Sequence, residues 1–182
     1  MSPIVPLTRP ELSHGLAMTL LKDAGVTESV AVLGRRGYYR DTMGAPGEND
    51  RGIYDDAIAI VTPSAFVTFN ANCDPSAFRP GVAVLKAGVW RYRLGIHGLS
   101  KPKARQYTAL VQAAPVTVKR DQSGEETGYF GINIHRGGYN TTSSLGCQTT
   151  YPAQWDAFIA LMKNEVARYA VQTFPYCLTE RA

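Results

Sequence analysis

No stretch of this 182-residue sequence is apolar for long enough to span a bilayer, so no stable membrane insertion is expected. Cysteine is scarce and odd in number. Cys73, Cys147 and Cys177 show no CxxC spacing, which argues against a disulfide framework or a zinc ribbon and leaves at least one thiol free. Lys and Arg form no dense run, and the net charge of +4 is spread along the chain, so nucleic acid is not an expected partner. Histidine is rarer still than the charged residues, with no HExxH or HxxxH spacing; His97, His135 and Cys147 are three potential zinc donors, but no metal and no cofactor is expected. The opening "MSPIVPLTRPELSHGLAMTLLKDAG" lacks a basic n-region, an apolar h-region and a small-residue cleavage site. As it stands, the chain is expected to be cytoplasmic as synthesised, reaching anything outside only after release.

What is present is a β-rich texture. Apolar residues make up 45% and charged residues 19%, enough for one folded domain with its own core. Residues 10–24 read as a helix opened by Pro10 and stopped by Gly25, with Leu12, Leu16, Leu20 and Leu21 on one face. Runs at 30–34, 53–63, 66–72, 89–98, 107–112, 115–121 and 129–135 are β-branched or aromatic and are bounded by Gly, Pro, Asn or Asp. Residues 152–172 read as the strongest helix, with Thr150 as cap, Pro152 in the first turn and Trp155, Phe158, Ile159, Met162 and Val166 as one stripe. "FPYCLTE" reads as a last strand, and 35–52 as a long loop. The expected fold is α+β and mostly β, a single domain over 1–182. It comprises an N-terminal helical segment (1–28) and a β-rich core (29–182) carrying the C-terminal helix 152–172.

The chemistry concentrates in "GINIHRGGYNTTSSLGCQTTYP", residues 131–152. A nucleophilic thiol needs exposure, a base, and donors for the oxyanion that forms on attack. Cys147 sits in a polar, glycine-bearing loop whose amides can serve as those donors. It also lies shortly before a predicted helix N-terminus, whose dipole favours thiolate. His135, at a strand end, is the natural base, and the turn-rich segment between them reads as flexible enough to bring ring and sulfur together. Cys73 and Cys177 read as ordinary packing residues.

The arrangement "INIHRGG…SSLGCQT" resembles the active-site signature of the L,D-transpeptidase (YkuD-type) catalytic domain, specifically over 131–150 and loosely over 88–152. The resemblance implies a mostly β scaffold and a peptidoglycan stem peptide as partner. On it Cys147 is nucleophile, His135 base, Gly146 the motif glycine and Ser144 the hydroxyl residue. Three features differ: Leu145 stands where the family usually has a second His, the His135–Cys147 separation is short, and Gln148–Thr149 follow the cysteine. They suggest a specialised relative rather than an ordinary wall-crosslinking enzyme, and the lack of an export signal in the opening residues points to a phage or prophage type, a wall-degrading, endolysin-like cysteine peptidase.

Around this pair, His97 in "LGIHGLS" is a third catalytic candidate, with strand capping as its plain alternative. Arg136 is a candidate carboxylate clamp; Gly137, Ser144, Gly146 and Gln148 complete the expected substrate-binding set. Asp55 and Asp56 alternate faces and are expected at a strand entrance in water. Two other functions compete: a non-catalytic wall-binding or virion structural module, and a cysteine hydrolase or deamidase acting on a protein. The oligomeric state is not legible.

Overall fold

Alternating apolar side chains build most of this molecule, because a strand that turns every second residue inward can line a closed surface. The computed structural model describes residues 4–181. Eight strands form the barrel: β1 (Ala31–Arg36), β2 (Asp56–Val61), β3 (Phe66–Asn72), β5 (Gly88–His97), β6 (Tyr107–Gln112), β9 (Ile134–Arg136), β10 (Gln148–Thr150) and β11 (Phe174–Glu180). They close in the order β1-β11-β5-β6-β9-β10-β3-β2. Two neighbouring pairs, β1 with β11 and β9 with β10, are parallel and the rest antiparallel. A three-stranded sheet of β4 (Ala83–Leu85), β7 (Val116–Arg120) and β8 (Glu125–Gly128) lies beside it.

The barrel core contains Val32, Ile58, Ile60, Phe69, Leu110, Ile134 and Tyr176. Gly34 leaves room for Tyr176, whose hydroxyl would lie 2.3 Å from any Cβ at that position. Helix α2 (Pro152–Arg168) adds Trp155, Phe158 and Met162 to the same core. The Phe158 ring meets Phe69 edge-on at 5.1 Å, and burying such a side chain contributes about 1.5–3 kcal/mol. On the other face of β1, β2 and β11, helix α1 (His14–Asp23) packs Ala17 and Leu21 against Leu33, Ala59, Val61 and Cys177.

The mostly β domain with two helices matches the sequence reading, while several boundaries move. Helix α1 starts at His14, because the Ser13 side chain accepts the Leu16 N–H and caps it; Leu16 itself faces outward. Helix α2 ends at Arg168, and its N-cap is Tyr151 rather than Thr150, whose hydroxyl is buried without a partner. Strands β4, β8 and β10 were not foreseen. All are short, β8 is mostly exposed and β10 is polar, so none carries the apolar alternation that marks a strand.

Asp55 and Asp56 are not in water: both are fully buried. Asp56 accepts the Gly37 and Cys73 N–H groups at 2.5 Å each, and Asp55 accepts the Asp50 N–H at 2.8 Å. Nearby, the buried Arg36 guanidinium pairs with Asp74 at 3.2 Å and donates to the Cys73 and Leu85 carbonyls. The long loop 37–53 supplies two of these amides, from Gly37 and Asp50, and Cys73 the third, while Asp55 Oδ1 is buried without a partner; the loop's closure over the strand entrance is what takes both carboxylates out of water. Burial, reinforced by the charges of Asp74 and Asp50, pushes Asp55 up to about 7.

A carboxyl raised in the folded state stabilises the fold while protonated. That contribution is complete below its unfolded value of 3.8 and is lost as pH rises through about 7. Replacing Asp55 with Asn should therefore flatten the fall in stability across this window, as read by urea unfolding at a series of pH values. A slope identical to that of the parent chain would refute the assignment.

Candidate active site

Parallel pairing of β9 with β10 sets Gln148 beside Ile134 and Thr149 beside His135. In a parallel pair, opposed residues point to the same side. Ile134 faces the core, so His135 faces the opposite side. Continuing the ladder by one residue puts Cys147 beside Asn133, and the Gln148 N–H donates to the Asn133 carbonyl at 2.8 Å. The Cys147 sulfur accepts the Asn133 N–H at 3.4 Å and donates to the Gly131 carbonyl at 3.3 Å.

From β5 and β6 come the other components. His97 stacks on His135 with ring centroids 4.1 Å apart and planes inclined by 22°. The Asn133 side-chain amide lies 3.2 Å from His97 Nδ1, and the Tyr107 hydroxyl 3.4 Å from His135 Nδ1. His135 Nδ1 also lies 2.8 Å from the Arg136 carbonyl. A carbonyl only accepts, so Nδ1 carries the proton and Nε2 keeps its lone pair. Burial, followed by the neighbouring His97, brings His135 down to about 4; burial and Lys101 lower His97 as well. Burial raises the Cys147 thiol, against the pull of the Asn133 N–H and the Lys101 charge. At neutral pH the resting state is thus thiol and imidazole, both uncharged.

The loop between base and thiol is pinned rather than flexible. The Tyr54 hydroxyl donates to the Gly138 carbonyl at 2.6 Å, and Ser76 bonds Thr142 through hydroxyls at 2.7 Å and Ser144 through two backbone-linked contacts. Ser144 donates to the Cys147 carbonyl at 2.5 Å and accepts the Gly146 N–H at 3.0 Å, which fixes the turn carrying Cys147. Gly146 adopts φ +134°, and a Cβ there would stand 2.7 Å from the Ala83 carbonyl oxygen. Among the described residues the Cys147 N–H makes no hydrogen bond, which leaves it available to an oxyanion.

The structure thus holds Cys147 in one turn with Ser144 and Gly146, on the strand face that carries His135 and, stacked on it, His97. Arg136 is exposed and lies over the Tyr107 ring at 5.4 Å, beside the imidazoles. Gly137 is turned toward Tyr54, and Gln148 is fully buried, accepting from the Tyr176 hydroxyl at 3.2 Å, so neither borders the thiol. The helix-dipole expectation for Cys147 fails because the three residues of β10 separate it from α2, and a dipole acts within one turn. Asn133, Tyr107 and Lys101 were missed. Asn133 was legible, being two residues from His135 and so on its face of the strand; Lys101 gave no signal, since only folding brings its loop to the site. Among the described residues no group of three or more His, Cys, Asp or Glu side chains is placed to hold a metal ion. Comparison with protein-family models, curated proteins and solved structures finds no match for this chain.

Two outcomes are expected. Gly146→Ala should cost about 1–3 kcal/mol in thermal or denaturant unfolding, because the strained φ and the Ala83 carbonyl act together. Iodoacetamide should label Cys147 slowly at pH 7 and about tenfold faster per pH unit above it, while Cys73 and Cys177, both buried, react only on unfolding. Fast labelling of Cys147 at neutral pH would overturn the uncharged resting state.

Proposed function

We propose that this chain is a cysteine-dependent acyl-transfer or amide-hydrolysing enzyme acting on peptidoglycan stem peptides, a divergent relative of the L,D-transpeptidase domain. One observation supports the reading: a half-buried thiol bonded to the Asn133 N–H lies on the strand face that carries His135, whose ring stacks on His97 and keeps its Nε2 lone pair free. As the Cys147 sulfur attacks the stem-peptide carbonyl, its proton passes to His135 Nε2 and an S–C bond forms. The Cys147 N–H faces the developing oxyanion. Collapse breaks the C–N bond, His135 returns the proton to the leaving amine, and a thioester remains. Water then gives peptidase action, an amine gives transpeptidation.

His97 acts on His135 by stacking and by its own uncharged state, which keeps a second positive charge away from the base. Asn133 ties the set together, with its backbone N–H on sulfur and its side chain on His97. A second reading, a non-catalytic wall-peptide binding module, draws on the bond from the thiol to the Gly131 carbonyl, which holds the proton on sulfur.

Purified sacculi incubated with the protein should release or gain cross-linked fragments, identified by mass spectrometry. Cys147→Ala and His135→Ala should each lower turnover by about 10²–10⁴-fold. Because the base must be neutral, the rate should fall only as pH drops through about 4, where His135 protonates. Equal fragment patterns from the parent chain and Cys147→Ala would move the binding module to first place.

A further inference from the structure

Two open cavities border residues next to the thiol's turn and its strand. One, of about 400 Å³, is lined by His97, Lys101 and Asn133. The other, of about 380 Å³, lies between the three-stranded sheet and the nucleophile's turn, with Ile132, Phe130 and Leu145 among its walls and Arg79 and Arg120 beside them. It adjoins the turn that carries Cys147: Leu145 precedes Gly146, and a Cβ on Gly146 would stand 2.7 Å from the Ala83 carbonyl and 3.2 Å from Ile132 Cδ1, both wall residues. Its two cations differ in their commitments. Arg120 donates to the Gly81 carbonyl at 2.9 Å, pairs with Glu126 and lies over the Phe130 ring at 5.2 Å, so its charge is answered. Arg79 is held through its backbone, by an N–H bond to Asp121 at 3.1 Å, while its guanidinium makes no hydrogen bond or ion pair among the described residues. No acidic residue lines the cavity.

We propose that this cavity is the subsite for the residue that donates the attacked carbonyl, and that it selects a carboxylate on a short aliphatic stem. The inference rests on the acyl-transfer reading of Cys147 for its place in the reaction, though not for binding itself. The exposed Leu145 and the half-buried Phe130 give the stem its apolar contact in a cavity whose walls are otherwise largely polar, and the uncommitted Arg79 fork meets the carboxylate at the rim. An amide or hydroxyl there loses the charge-assisted bonds, and a cationic side chain meets like charge.

The test uses three short peptides identical except for Glu, Gln or Lys at that residue, titrated by calorimetry onto the Cys147→Ala chain. The Glu peptide should bind about tenfold more tightly than the Gln peptide, and added salt should narrow the gap. Arg79 is exposed, so Arg79→Glu in the same background should fold normally by circular dichroism and should favour the Lys peptide. Equal binding of Glu and Gln peptides, or a Glu preference that survives Arg79→Glu, overturns the subsite. Thioester formation by the parent chain, followed by mass spectrometry, is read separately. Its absence alongside a retained Glu preference sinks the nucleophilic reading and leaves the subsite standing.

Discussion

Everything at the candidate site depends on the parallel pairing of β9 with β10. Three residues of each strand suffice to put the sulfur next to Asn133 and the imidazole two positions further along the same face. Parallel neighbours need a crossover connection of a dozen or so residues, usually a helix. Here the connection is a loop held by Tyr54, Ser76 and Ser144, with Gly146 accepting a backbone angle that other residues avoid. The glycines and hydroxyls of this segment, which in sequence suggest flexibility, are what make it rigid.

The same construction settles the charge state. Ringed by barrel strands and loops, the two imidazoles and the thiol are each held in their uncharged forms chiefly by desolvation, and His97 adds to this at His135. A resting ion pair of the kind found beside a helix N-terminus therefore does not form. Lys101 is the nearby cation that favours a thiolate, and it also disfavours an imidazolium; its net effect is to keep positive charge off the base.

Much of this was legible in the sequence, for identifiable reasons. The long strands and α2 carry strong periodic patterns, and Trp155, Phe158 and Met162 are buried as their spacing requires. Cys147 and His135 stood out because a thiol among glycines and hydroxyls has few packing roles, and the structure sets them on one face of adjoining strands. What escaped was set by tertiary structure. Asp55 and Asp56 look like solvated charges until the 37–53 loop folds over them, and Arg36 looks like a surface arginine until β4 offers it the Leu85 carbonyl. Gln148 follows Cys147 in sequence yet points into the barrel, because the strand alternates at that very residue.

The strand order has a bearing on how the molecule is made. Strand β11 lies between β1 and β5, so the first and last barrel strands in the chain are edge partners. While the polypeptide leaves the ribosome, β9 and β10 can pair, but the wall remains open at that seam until the final segment slots in. Long-range pairings of this kind are slow to form and leave strand edges unpaired meanwhile. The nascent chain thus completes its thiol loop before it completes its enclosure, and the desolvation that keeps the sulfur protonated is among the last properties to emerge.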